Sequence, residues 1–256
     1  MNICLFTENE IECHQPFLPF TDKRAQHILK VLHKVKGDSF TAGVIDGASG
    51  TALITGIDDT AKKIYFDFTA NVKGKPLNPV KMIVGFVRPI QLRRLLRDVA
   101  ALGVCELHLT GTELGEKSYM QSDLAQPDKL YELLLEGTIQ AGSTHVPKVF
   151  VHKTLKECLE YTRSLSLSKG SKGQQKEQLI CLDNINPACS LGQVDFSGAA
   201  GVVAAIGSER GWTDKERALL EQAGFIRCGM GERIMRTETA VTVAGAIILN
   251  SMGVLK

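Results

Sequence analysis

Apolar and polar positions follow different rhythms in two parts of this chain of 256 residues. Over residues 1–72 the apolar positions come in short β-type runs, Ser39–Ile45, Thr51–Ile57 and Lys63–Phe68, separated by Asp-Gly, Ser-Gly and Asp-Asp turns. That spacing predicts a small β-barrel or sandwich. One helix interrupts it. In Asp22–Val35 the residues Ala25, Ile28, Leu29, Leu32 and Val35 fall at helical spacing, with Lys23, Arg24, Lys30, His33 and Lys34 on the other positions. The segment Gly74-Lys-Pro-Leu-Asn-Pro79 reads as a linker.

From Val80 onward strand and helix patterns alternate, which predicts an α/β domain with a largely parallel sheet, taken as residues 76–256. Met82–Val87 reads as a strand, and Pro89 suits the first turn of a helix whose apolar face carries Leu92, Leu95, Leu96, Val99 and Leu102. Gly103 ends that helix. Val104–Leu109, Val149–Val151, Leu179–Leu182, Val202–Ile206 and Phe225–Cys228 read as further strands, and Lys129–Ala141 as a helix. Thr154-Leu-Lys-Glu157 and Thr213-Asp-Lys-Glu216 are capping boxes that each open a helix. Ser164–Gln178 is polar and reads as a mobile surface loop. The last helix, Glu238–Ser251, is almost wholly apolar or small, as a buried or interface helix would be.

Composition narrows the function classes. The chain is 44% hydrophobic and 23% charged with a formal net charge of +2, so charge alone does not announce a nucleic-acid binder. No apolar run approaches the roughly 20 residues of a membrane span. The N-terminus MNICLFTENEIE lacks a signal-peptide pattern, so a cytoplasmic protein without a membrane partner is expected. The seven cysteines are scattered without a CxxC and read as reduced thiols; the six histidines are equally dispersed, and no metal site is expected.

The chemistry concentrates in Gly201–Ala246, where two apolar runs each end in a glycine-bearing loop: Gly207-Ser-Glu-Arg-Gly-Trp212 and Gly229-Met-Gly-Glu-Arg-Ile-Met-Arg236. Glycines past a strand end permit positive φ and close backbone approach to a ligand. One such loop is most simply a turn, whereas two bracketing one helix point to a pocket. A phosphate loop needs Gly-Lys-Ser/Thr, which is absent, and a dinucleotide fingerprint finds Ile234 at its third glycine. Arg233 and Arg236 sit where a helix begins and so oppose its dipole, which calls for an anionic partner such as phosphate or nucleic acid; Glu238 suits that end. Arg88, Arg93, Arg94 and Arg97, with the basic side of Asp22–Val35, read equally as a two-part RNA surface or as solvated helix faces.

Together these motifs resemble the RsmE family of the SPOUT class of RNA methyltransferases. That family shows Ile-Gly-Pro-Glu-Gly-Gly-Phe-Ser/Thr-x-x-Glu followed by Leu-Gly-x-Arg-Ile-Leu-Arg-x-Glu-Thr-Ala. Here the two stand as Ile206-Gly-Ser-Glu-Arg-Gly-Trp-Thr-Asp-Lys-Glu216 and Met230-Gly-Glu-Arg-Ile-Met-Arg-Thr-Glu-Thr-Ala240. Weaker echoes are His27–His33 with Gly37-Asp38, Ala101-Leu-Gly-Val104, and Gln140 before Val146-Pro147.

The resemblance implies a PUA-like β-barrel that helps hold RNA over residues 1–72. It implies a SPOUT-type parallel sheet with a C-terminal trefoil knot over 76–256, working as a homodimer. The cofactor it implies is S-adenosylmethionine, held by Leu182, by Ile206, Gly207, Glu209 and Gly211, and by Met230, Gly231, Arg233, Ile234 and Met235. The implied reaction methylates N3 of a uridine in small-subunit (16S) ribosomal RNA, within an assembled small subunit. Arg236 would stabilise the uridine anion, aided by Glu238 and Thr239, while Lys23, Arg24, Lys30, His33, Arg88 and Arg93 would contact RNA. The chain departs from the family at Ser208 (proline), Arg210 (glycine, so strain is expected if φ is positive there), Ala101 and His33. It departs again at Ile139-Gln-Ala-Gly-Ser-Thr144, which lacks the usual acid and arginine. Those departures keep two alternatives open: a different target nucleotide, or an RNA-binding protein that has lost methyl transfer. A dinucleotide-dependent oxidoreductase is a third reading.

Overall fold

The computed structural model describes residues 2–168 and 177–255 and divides into two compact units: residues 1–76 with 135–146, and residues 77–134 with 147–256. In the first unit β1 (Cys4–Phe6), α1 (Glu8–Ile11), β2 (Phe17–Pro19), α2 (Lys23–Lys30), β3 (Ser39–Val44), β4 (Ser49–Asp58) and β5 (Lys63–Val72) follow one another. The strand order is β1-β3-β4-β5-β2, antiparallel except for the parallel β1–β3 pair. A register shift between Ile54 and Gly56 sharpens the twist, and the sheet curls into a half-barrel. The Asp58-Asp59 turn forms because Asp58 Oδ1 accepts from the backbone N–H of Thr60 and Ala61, both at 2.8 Å. Inside the curl Phe6, Phe40 and Phe66 pack with Leu18, Ile54 and Ile64, the Phe6 and Phe66 rings 4.8 Å apart.

Helix α2 is shorter than the periodicity predicts. Val31 and Leu32 both donate to His27 O, and His33 takes a left-handed φ of 51°. The chain therefore turns away after Lys30. Ala25 and Ile28 enter the core, whereas Leu32 and Val35 are exposed rather than completing an apolar face. Residues 135–146 return to this unit: Thr144 Oγ1 donates to Gly47 O at 2.7 Å, and Asp46 Oδ1 accepts from Val146 N at 3.0 Å.

The second unit holds β6 (Asn78–Gly85), α3 (Pro89–Ala101), β7 (Val104–Thr110), α4 (Lys117–Met120), the start of α5 (Pro127–Gln140), β8 (Lys148–His152), α6 (Leu155–Ser168), β9 (Gln178–Leu182), β10 (Cys189–Ser190), β11 (Val202–Ile206), α7 (Asp214–Gln222), β12 (Ile226–Gly229) and α8 (Thr237–Ser251). The segment expected as a loop from Ser164 continues α6 to Ser168, because the Leu155-to-Ser168 pattern holds helical spacing; its remainder up to residue 176 lies outside the described residues. All pairings in the sheet are parallel, in the order β10-β12-β9-β11-β6-β7-β8. Every residue of β11 is buried, as expected for a central parallel strand covered on both faces. Helices α3 and α8 pack together on one face; a Cβ at Gly245 would stand only 2.8 Å from Leu102 Cδ1, so glycine lets the two helices close. Leu155, Cys158, Trp212, Leu220 and Phe225 cover the other face.

A polar row crosses that sheet beneath α6. Lys81 Nζ meets Glu177 at 2.7 Å and Glu106 at 4.0 Å, His108 Nε2 lies 3.4 Å from Glu106 Oε2, and His108 Nδ1 lies 3.1 Å from His152 Nε2. Cys158 completes a His–His–Cys group whose ligand atoms lie within 4.8 Å of one another, a juxtaposition that dispersed sequence positions did not announce. Burial, and secondly the neighbouring His108, hold the His152 imidazole below its usual 6.5. The unfolded chain therefore takes up a proton near pH 6.5 that the folded ring refuses. Stability is then level above pH 6.5 and falls as the pH drops below it, toward the lower folded value. His27, also shifted down chiefly by burial, adds the same sign. We expect thermal midpoints that decline between pH 6.5 and 5.5, with a shallower slope in His152→Gln; an unchanged slope would contradict this assignment.

Candidate functional site

Three strand ends of the second unit converge on one cavity of about 290 Å³, near the lower limit of small-ligand pockets. The C-terminal end of β9 contributes Leu182 and Asp183, the loop after β11 contributes Ile206–Gly211, and the segment after β12 contributes Met230 and Arg233–Met235. Ligands of open parallel sheets sit at this edge, where the strand order reverses.

The first loop closes on itself. Gly211 N donates to Ser208 O at 2.8 Å, and a Cβ at Gly207 would stand 2.9 Å from the Gly211 carbonyl carbon, so only glycine leaves the turn undisturbed. The positive φ, +72°, belongs to Gly211. Arg210 is not among the described non-glycine residues with positive φ, so the strain expected at Arg210 does not arise. Ser208 is buried and its Oγ accepts from Thr112 Oγ1 at 2.9 Å, which accounts for a serine in place of proline.

Neighbouring elements fix the loop. Trp212 Nε1 donates to Leu182 O at 3.2 Å, tying it to the end of β9. Thr237 Oγ1 donates to Gly207 O at 3.3 Å, tying it to the start of α8. The capping box on α7 forms as predicted: Glu216 N donates to Thr213 Oγ1, and Glu216 Oε2 accepts from Thr213 N. Glu216 also accepts from Glu113 N at 2.9 Å, which anchors the strand-β7 loop. Arg217 Nε donates to Asp183 Oδ2 at 2.6 Å on the cavity wall.

Leu182, Ile206, Gly207, Glu209, Gly211, Met230, Arg233, Ile234 and Met235 all line the cavity. Gly231 stands beside Met230 with φ +96°, a bend that other residues adopt only under strain. Arg236, Glu238 and Thr239 lie just outside the wall at the N-terminus of α8, whose N-cap is Arg236. The Arg236 side chain is exposed, and Glu238 is only 4% exposed; among the described residues neither makes an ion pair. Sequence reasoning missed Asp183, Arg217, Cys228 and Thr237. Asp183 was signalled by its place one residue past a strand end; Thr237 had no signal beyond lying between Arg236 and Glu238.

A second hollow of about 280 Å³ shares the wall Ser208–Arg210 and is otherwise lined by Phe86, Arg88, Glu113 and Tyr119 among others. Arg88 reaches Tyr119 Oη at 3.2 Å and Glu209 at 3.5 Å. Arg93 is exposed on α3. In the first unit Lys23, Lys30 and His33 are exposed, whereas Arg24 is engaged internally. It pairs with Glu10 and Asp22, donates to Leu5 O at 2.8 Å and stacks over Phe6. Burial pushes those two carboxyls up, but the Arg24 hydrogen bonds outweigh it and hold both below their ordinary values.

The cavity combines apolar walls (Leu182, Ile206, Met230, Ile234, Met235) with glycine-exposed main chain and with charged groups of both signs, Asp183 and Glu209 beside Arg210, Arg217 and Arg233. Asp183 is paired to Arg217 and Glu209 to Arg88.

Residues 73–249 match a family described as an RNA methyltransferase domain. Over 250 residues the chain is 40% identical to a ribosomal RNA small subunit methyltransferase E of Treponema pallidum, covering 97% of this chain and 91% of that one. It is 30% identical to ribosomal RNA small subunit methyltransferase E 1 of Borreliella burgdorferi, over 98% of each. In fold it is similar to a ribosomal RNA small subunit methyltransferase E of Neisseria gonorrhoeae solved bound to S-adenosyl methionine. The TM-score is 0.73 at 24% identity, over 98% of this chain and 97% of that one. Among the described residues no helix is long and apolar enough to cross a membrane.

Proposed function

The chain belongs to the family of ribosomal RNA small subunit methyltransferase E, and on that premise we propose that it transfers a methyl group from S-adenosylmethionine to N3 of a uridine in small-subunit ribosomal RNA. The observation that carries the reading is the meeting of both glycine loops in one cavity, with Arg236 at its lip.

When bound, S-adenosylmethionine supplies a methyl carbon already activated by its sulfonium, so the protein chiefly aligns donor and acceptor. The main chain of Ile206–Gly211 and Met230–Met235 would hold it, against the apolar side chains of Leu182, Ile206 and Met230. Uridine N3 is a weakly acidic imide nitrogen and attacks only after losing its proton. Arg236, which makes no ion pair among the described residues, stabilises the negative charge that develops on the uracil ring. Glu238, buried two residues along α8, accepts the proton, and Thr239 assists. Arg88, Arg93, Lys23, Lys30 and His33 hold phosphates. The protein works in the cytoplasm on the assembled small subunit as a homodimer.

The test uses small subunits from cells lacking this activity, labelled S-adenosylmethionine, and nucleoside analysis after digestion. Label in N3-methyluridine is expected. Label in another nucleoside would replace the target assignment, and tight RNA binding without label would reduce the chain to an RNA-binding protein.

A further inference from the structure

Strands β10 and β12 run parallel with Cys189 directly opposite Cys228, and their Sγ atoms lie 3.6 Å apart. The two thiols differ in setting: Cys189 is half-buried near the surface, whereas Cys228 is buried and lines the cavity together with Leu182 and Met230. Directly after Cys228 stands Gly229, where a Cβ would meet the Pro187 ring at 3.0 Å, so this stretch has little slack. Beyond it begins the second glycine loop. A thiol pair placed so that one sulfur faces solvent and the other faces the ligand couples the redox state outside to the cavity within.

We propose that Cys189 and Cys228 are a site of reversible oxidative modification, closing to a disulfide that weakens binding in the adjoining cavity. The co-reactant is a low-molecular-weight disulfide. The Cys189 thiolate attacks one of its sulfurs and expels the first small thiolate, leaving a mixed disulfide on Cys189. The Cys228 thiolate then attacks the Cys189 sulfur, forms the protein disulfide and expels the second small thiolate. Two protein thiols are oxidised, one small disulfide is reduced to two thiols, and the two protons released pass to the leaving groups. Cys189 goes first because its sulfur is the accessible one; burial pushes the Cys228 thiol up to about 12, so its attack is the slower step. Closure draws the sulfurs from 3.6 Å to the roughly 2.05 Å of a disulfide. The Cys228 side chain is thereby pulled toward β10, and the start of the Met230–Met235 loop moves with it.

The inference rests on the cavity being the S-adenosylmethionine site, and the experiment separates the two. The whole protein is treated with oxidised glutathione or with a reductant, digested without reduction and mapped by mass spectrometry, and titrated with S-adenosylmethionine. A peptide pair joined through Cys189 and Cys228 is expected, about 2 Da lighter than the two thiol peptides together. Affinity should fall at least about tenfold on oxidation and return on reduction. Cys189→Ser, a residue outside the cavity lining, should bind as the reduced protein does and ignore the oxidant. The exposed Cys13 is retained in that variant, so an effect passing through Cys13 would persist there. Failure to find the joined peptides, or joined peptides with unchanged affinity, overturns the proposal. If the reduced protein does not bind S-adenosylmethionine at all, the cofactor reading falls and takes the coupling with it, while the peptide map still decides whether the disulfide forms.

Discussion

Arg236→Ala is expected to lower kcat for methyl transfer by about 10²–10³-fold, the usual cost of removing one preorganised group that meets developing charge. The S-adenosylmethionine dissociation constant should change by less than about twofold. The split follows from geometry. Met235 and Thr237 line the cavity, but Arg236 between them does not; it stands at the N-cap position of α8 with no side-chain cap hydrogen bond, and its exposed guanidinium makes no ion pair among the described residues. Removing it therefore strips nothing from the cofactor walls and nothing from the core, and thermal stability should stay within about 0.5 kcal/mol of wild type. Arg236→Lys keeps a charge but loses the planar fork, so it should recover part of the rate. A parallel loss of cofactor affinity in Arg236→Ala would remove the arginine from the catalytic role and place it in the binding wall.

What made the site legible was the coincidence of two local signals. The run Val202–Ile206 is apolar at every position because β11 is covered on both faces, and its ends appear in the structure where the sequence placed them. The box Thr213–Glu216 marks the start of α7 by a hydrogen-bonding pattern that is complete within four residues. Glycines after strands then pointed to the cavity. Features that depend on distant partners were hidden. His33 carries no glycine-like signal, yet its left-handed φ ends α2 and turns Leu32 and Val35 out of the core. The return of residues 135–146 to the first unit depends on Thr144 and Val146 meeting Asp46 and Gly47, almost a hundred positions earlier in the chain. The family motif carries glycine at both 210 and 211, and strain at Arg210 is expected only if φ is positive there; the structure puts the positive φ on Gly211, which this chain keeps, so Arg210 is unstrained. Strand order, which brings Cys189 opposite Cys228 and His108 beside His152, is invisible to any local pattern.

Trp212→Ala is expected to destabilise the second unit by about 3–5 kcal/mol, as deleting a large buried aromatic does. Trp212 is 2% exposed and packed in one buried cluster with Ile83, Leu155, Val203, Leu220 and Phe225. At about 2–4 °C per kcal/mol for a unit of this size, the midpoint should drop by about 6–20 °C. Circular dichroism must report it, because this is the chain's one tryptophan and its fluorescence disappears with the substitution. Trp212→Phe separates packing from hydrogen bonding. It keeps most of the buried ring but strands the Leu182 carbonyl, which accepts from the indole and belongs to a residue of the cavity wall. That variant should lose only about 1–3 kcal/mol, the cost of an unsatisfied buried acceptor, yet weaken S-adenosylmethionine binding measurably because the end of β9 is no longer held. Equal stability of the two variants would mean that the hydrogen bond and not the ring holds this corner. Unchanged affinity in Trp212→Phe would mean that Leu182 keeps its position without the indole, through its pairing to β11 and β12 alone.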